Sequence, residues 1–124
     1  MPNGCGVCNK ANVLQITQSL VLPPDSRSDD IILQVVRCAS CSFRGLAVYE
    51  ESRRGSLDSE SWSHTAYNVS EGDLKAVAAA IKSCPSPKNT KCRCRSHREL
   101  GRRDRNGRWN GLENIEIENS FQIF

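Results

Sequence analysis

Cys5-Gly-Val-Cys8 and Cys38-Ala-Ser-Cys41, two C-x2-C pairs with 29 residues between them, decide how this chain is read. Each pair can set two thiolates on one side of a tight turn, and two such turns facing each other supply the tetrahedral sulfur shell that Zn2+ prefers. Working outward, residues 13–22 (Val-Leu-Gln-Ile-Thr-Gln-Ser-Leu-Val-Leu) have strand composition with partial alternation, and residues 23–30, opening with Pro23-Pro24-Asp25, read as a turn or loop. Residues 31–36 predict a second strand leading into Cys38, and residues 43–49 a third leaving Cys41.

This order of knuckle, strand, turn, strand, knuckle, strand resembles the zinc-ribbon and rubredoxin-like group over Cys5 to about Tyr49, with Cys5, Cys8, Cys38 and Cys41 at the ligand positions. A glycine commonly follows the second cysteine of each knuckle in that group, where this chain has Asn9 and Ser42. Asparagine tolerates the left-handed backbone such a turn requires, so Ser42 is the larger departure. The resemblance implies a small metal-bound antiparallel sheet, and it leaves function open, because such ribbons occur in nucleic-acid-binding proteins and in structural appendages alike. Rubredoxins hold iron with the same four sulfurs. The resemblance implies an acidic, aromatic-rich chain for them, whereas this one carries +3 and 6% aromatic residues.

The remaining cysteines extend the pattern. Cys84, Cys92, Cys94 and His97 form C-x7-C-x-C-x2-H, so two four-ligand sets use all seven cysteines and one of the two histidines. Cys92 and Cys94 reach one ion only if the backbone between them bends, which Pro85, Pro87 and Asn89 favour. One zinc plus three reduced cysteines is the competing reading. No basic segment followed by an apolar run opens the chain and no stretch of about 18 apolar residues occurs, so the expectation is a cytoplasmic protein without membrane association. Paired cysteines in that reducing compartment hold metal more often than they form disulfides. With 124 residues of which 38% are hydrophobic, the core is small, and metal-binding energy is expected to become folding energy.

Residues 51–69 read as a polar loop or hairpin, with Trp62 and Tyr67 expected to close it onto the core. Asp58, Glu60 and His64, with Glu50 nearby, are the only candidate hydrolytic constellation, and no recognised catalytic spacing joins them, so the expectation is no enzyme. One helix is predicted from Ser70, a capping residue with Asp73 three positions on, to about Ser83 before Cys84-Pro85. Leu74, Val77, Ala78 and Ile81 fall on its apolar face.

Charge is unevenly distributed. Residues 82–108 hold ten Lys or Arg against two acidic residues, while the rest of the chain holds seven against twelve. Seven of the ten are arginine, which favours phosphate contacts, and Arg95, Arg98, Arg102, Arg103 and Arg108 are the candidate nucleic-acid contacts. Trp109 either stacks on an unpaired base or anchors the tail. Ile115 and Ile117 alternate with Glu116 and Glu118 towards Phe121, Ile123 and Phe124, predicting a terminal strand that pairs within the chain or adds to a partner's sheet.

The sequence therefore predicts an α+β protein: a zinc ribbon over residues 1–50, a loop or hairpin over 51–69, and a helix, a Cys3His zinc site, the arginine-rich segment and a strand over 70–124. Two structural Zn2+ ions are expected. The expected partner is a nucleic acid, with a protein-binding adaptor as the alternative and a metal-dependent hydrolase as the weaker one.

Overall fold

The computed structural model describes residues 4–52 and 61–123. Strands β1 (Leu14–Leu22), β2 (Asp30–Cys38), β3 (Arg44–Ser52) and β4 (Ser61–Val69) are followed by helices α1 (Glu71–Ser83) and α2 (Arg95–Leu100) and by strand β5 (Ile117–Gln122). The strands form one antiparallel sheet in the order β1-β2-β3-β4-β5. The predicted three-strand unit is thus the first part of a five-stranded meander. Residues 51–69, read as a polar loop or hairpin, contribute the end of β3 and the whole of β4, paired from Leu46↔Tyr67 to Ser52↔Ser61. The serines and other polar residues of β4 concealed a strand that only its pairing with β3 reveals.

The alternation of β2 fixes what each face of the sheet does. Ile31, Leu33 and Val35 point to one face, where they join Leu20, Leu22, Leu46 and Val48 beneath Leu74, Val77 and Ile81 of α1. Each such side chain contributes about 1.5–3 kcal/mol when fully buried. Val36 and Cys38 point to the other face and form a second cluster with Cys5, Leu14, Phe43, Ala47, Ala66 and Ile123. Leu14, Leu20 and Leu22 share parity yet serve opposite faces. The cause is a β-bulge: Ile16 pairs with Val36 but Gln18 with Val35, so one extra residue flips every later side chain of β1.

Helix α1 follows its sequence signals. Ser70 caps it, its Oγ accepting from the Asp73 amide at 3.1 Å, and the helix stops at Cys84, whose amide donates to the Ile81 carbonyl. Strand β5 pairs with β4 and carries the chain end back to the second cluster. Phe121 lies edge-on to Phe43 at 5.1 Å and presses on Gly6, where a Cβ would meet its ring at 2.5 Å. The terminal strand therefore pairs within the chain and roofs the first knuckle. Ile117 stays exposed, so its alternation with Glu116 and Glu118 does not mark a buried face.

Candidate metal centres

The knuckles meet because β1 starts, β2 ends and β3 begins at the same end of the sheet. Cys5 and Cys8 precede β1, while Cys38 and Cys41 flank the β2–β3 turn, closed by the Cys38 amide donating to the Phe43 carbonyl at 2.9 Å. Asn9 takes the left-handed conformation expected of it, with φ of 59°, as its amide donates to the Cys5 carbonyl at 2.8 Å. Ser42 is absent from the positive-φ residues, so the second knuckle turns without the glycine-like conformation.

The donor atoms of Cys5, Cys8, Cys38 and Cys41 all lie within 4.8 Å of one another, and so do those of Cys84, Cys92, Cys94 and His97. Zn–S bonds of about 2.3 Å in a tetrahedron place sulfurs about 3.8 Å apart. The Cys5–Cys41 and Cys8–Cys38 Sγ separations are both 3.8 Å, and Cys84–Cys92 is 3.9 Å. A disulfide needs about 2.05 Å. Each group has the ligand number and size to hold a metal ion.

Three local devices converge on the second group. Cys84 is delivered by the end of α1, Cys92 by a turn in which its amide donates to the Asn89 carbonyl, and Cys94 by the N-cap of α2, where its sulfur accepts from the His97 amide at 3.4 Å. The bend required between Cys92 and Cys94 is this entry into α2, a helix not anticipated from the sequence. His97 Nδ1 lies 3.2 Å from Cys84 Sγ and 3.4 Å from Cys94 Sγ. Its Nε2 lies 3.0 Å from the Val21 carbonyl, which only accepts, so Nε2 carries the hydrogen and Nδ1 keeps its lone pair for a metal. The Val21 amide donates in turn to the Pro87 carbonyl at 2.8 Å. The loop thereby covers part of the open edge of β1.

Each group contains one acidic and one resistant thiol. Burial opposes ionisation of Cys38, but the Cys41 and Ser40 amides and the neighbouring Cys41 and Cys8 side chains bring it down to about 7. The Phe43 amide favours ionised Cys41, yet burial and the adjoining Cys38, Cys5 and Cys8 push it up to about 12. The His97 amide leads in lowering Cys94 to about 6 against burial, helped by the His97 ring, Cys84 and Cys92. Burial pushes Cys84 up to about 11 despite the Ser86 amide, with Cys94 and Cys92 adding to the rise. In each group one thiol ionises near neutral pH, and a divalent ion must displace the proton of the resistant one.

The candidate phosphate contacts scatter. Arg108, expected to face phosphate, turns inward: its Nη1 lies 2.8 Å from Oδ2 of buried Asp25 and its Nη2 3.6 Å from Glu50. Arg95 pairs with Glu99 at 2.8 Å, and Arg102 lies 3.9 Å from Glu113. Arg98 and Arg103 face an open concavity of about 780 Å3 beside Cys92 and His97, together with Lys91 and Arg93, which the sequence reading left out of the contact set. Their signal was available, since both directly adjoin cysteines of the second candidate group. Trp109 is an anchor: its indole donates to the Leu100 carbonyl at 2.7 Å and its amide to Asp25 at 2.7 Å.

The hydrolytic constellation does not assemble among the described residues. Glu50 and His64 lie on opposite faces of the sheet, Glu50 reaching Ser28 and Arg108 while His64 Nε2 sits 2.6 Å from Gln34. Asp58 and Glu60 lie outside the described residues. Trp62 is 49% exposed and does not close onto the core, whereas Tyr67 packs against it. No helix among the described residues is long and apolar enough to cross a membrane.

Compared with known proteins, the chain matches no family model, no curated protein and no solved structure. Its class rests on its own geometry: a small α+β domain with a five-stranded antiparallel sheet and two Cys/His groups that can each hold a metal.

Proposed function

We propose that this protein binds two structural zinc ions, the first in a zinc-ribbon-like centre, and that the second braces an arginine-rich face which binds nucleic acid. The observation that carries the metal reading is the match between the 3.8 and 3.9 Å sulfur separations and the edge of a zinc–thiolate tetrahedron. The Cys3His composition of the second group favours zinc over the iron of an all-sulfur site. Both sets are complete without an open position, so the ions shape the chain rather than perform chemistry. Seven cysteines held as thiols fit a reducing compartment such as the cytoplasm.

The polyanion reading rests on cations that the protein does not neutralise. Lys91, Arg93, Arg98 and Arg105 have no carboxylate partner among the described residues, in a chain that pairs Arg95, Arg102 and Arg108. The test is fluorescence anisotropy of labelled single-stranded DNA, duplex DNA and RNA with zinc-loaded protein at low and near-physiological salt. Binding that weakens steeply with salt is expected. Absence of binding at low salt overturns the reading, and a red, visible-absorbing protein overturns the zinc assignment. A second reading, a protein-binding adaptor, is favoured by Trp62 and Ile16, both exposed. Charge-swapped arginines would leave that activity intact.

A further inference from the structure

The concavity beside the second metal centre has a composition that structural bracing does not require. Lys91, Arg93, Arg98 and Arg103 line it, Thr90 adds a hydroxyl, and no carboxylate among the described residues does. Three thiolates and a divalent ion leave that centre with one net negative charge, against four positive side chains. Unpaired cations also occur elsewhere on this chain, but here four of them gather on one concave wall, whereas Arg95 is paired with Glu99, Lys75 with Glu71, and Arg108 with Asp25 and Glu50. Only Arg103 of the four is held, by donating to the Pro24 carbonyl, a neutral acceptor that leaves its charge unanswered. The four are mounted on rigid supports, since Lys91 and Arg93 flank Cys92, Arg98 follows His97 in α2, and Arg103 bridges to Trp109 through a short strand pairing. Their fixed backbone positions keep the four charges around one concave wall, so no loop must be ordered to bring them to an anion.

Resting on the nucleic-acid reading above, we propose that this concavity is the subsite for the phosphodiester backbone of the bound strand, contacted by Lys91, Arg93, Arg98 and Arg103. No Phe, Tyr or Trp side chain lines it, and the His97 ring at its wall is buried and turned to the cysteine sulfurs, so it takes phosphates and not stacked bases. Its ligand is recognised by charge and by the bidentate geometry of three guanidiniums, with no sequence preference.

The experiment measures oligothymidylate binding against salt for the zinc-loaded protein, for Arg93→Gln/Arg98→Gln, and for Lys82→Gln/Lys88→Gln, which removes the same charge from exposed positions outside the concavity. Each phosphate contact on a single strand contributes about −0.7 to the slope of log K against log salt, so losing two flattens it by about 1.4. Between 50 and 200 mM salt that makes the variant's affinity loss about sevenfold smaller than the parent's. The control pair should keep the parental slope. Equal flattening by both pairs overturns the subsite and leaves the nucleic-acid reading standing, whereas no binding by the parent overturns both. Equally tight, equally salt-dependent binding of poly-glutamate overturns the phosphate assignment. Should the variant lose zinc, NMR of the parent decides: the Nε–H signals of Arg93 and Arg98 shift on titration with oligothymidylate, and unmoved signals overturn the proposal.

Discussion

Of the two histidines, one sits in a candidate metal group and one does not, and replacing each by alanine separates the roles. His97 is 4% exposed, its Nδ1 is 3.2 and 3.4 Å from two cysteine sulfurs, and its Nε2 donates to the Val21 carbonyl at 3.0 Å. His97→Ala removes one of four ligands and strips a covered carbonyl of its donor, the latter alone costing about 1–3 kcal/mol. The larger loss is the ion. A structural zinc contributes about 10–16 kcal/mol near neutral pH, which equals or exceeds the whole stability of an ordinary domain, about 5–15 kcal/mol. His97→Ala is therefore expected to fall from two zinc ions per chain to one and to lose the order of α2, while His64→Ala keeps two. Metal content by mass spectrometry, together with the visible spectrum of the cobalt-substituted protein, reads the outcome. His97→Ala that still holds two ions, with an unchanged cobalt spectrum, would refute histidine ligation and the tautomer argument behind it.

Because Cys41 and Cys84 are held protonated near neutral pH, zinc loading should release protons, and metal-dependent stability should rise with pH; calorimetry in buffers of different ionisation enthalpy measures the release. Burial lowers the His64 pKa, so the folded state binds a proton less readily than the unfolded chain does. Its contribution is present above the ordinary value of 6.5 and is lost as pH falls through the lower folded value, a fall that His64→Gln should reduce in urea titrations. Asp25→Ala should destabilise the protein by at least about 2 kcal/mol, because the carboxylate accepts from the Arg27, Ser28 and Trp109 amides and pairs with Arg108; denaturant midpoints give the value. Asp25 also titrates below its ordinary 3.8: burial opposes its ionisation, but the Trp109, Ser28 and Arg27 amides and Arg108 outweigh it. Its share of stability is therefore full above about 4 and lost only as pH falls through that lower value.

The sequence was most legible where the signal is local. The cap at Ser70, the stop before Pro85 and the apolar face of Leu74, Val77 and Ile81 depend on residues within a turn or two, and α1 occupies the span they define. Strand β4 was hidden because its alternation involves Ser63, Thr65 and Asn68, residues that equally suit a loop until β3 and β5 pair on either side. The short helix α2 was hidden for a related reason: its N-cap is Cys94, a residue chosen for its sulfur rather than for capping.

The sequence by itself determined which residues can hold metal, since C-x2-C spacing and ligand arithmetic are properties of covalent geometry and coordination number. Only the tertiary structure decided which cations remain unanswered. Arg108 and Arg98 lie ten residues apart in the same basic run, yet Arg108 pairs with Asp25, 83 positions away, while Arg98 forms no ion pair among the described residues and feels Glu99 only at longer range. Charge along a chain is additive, but pairing depends on distances that folding sets, and no count of arginines contains them.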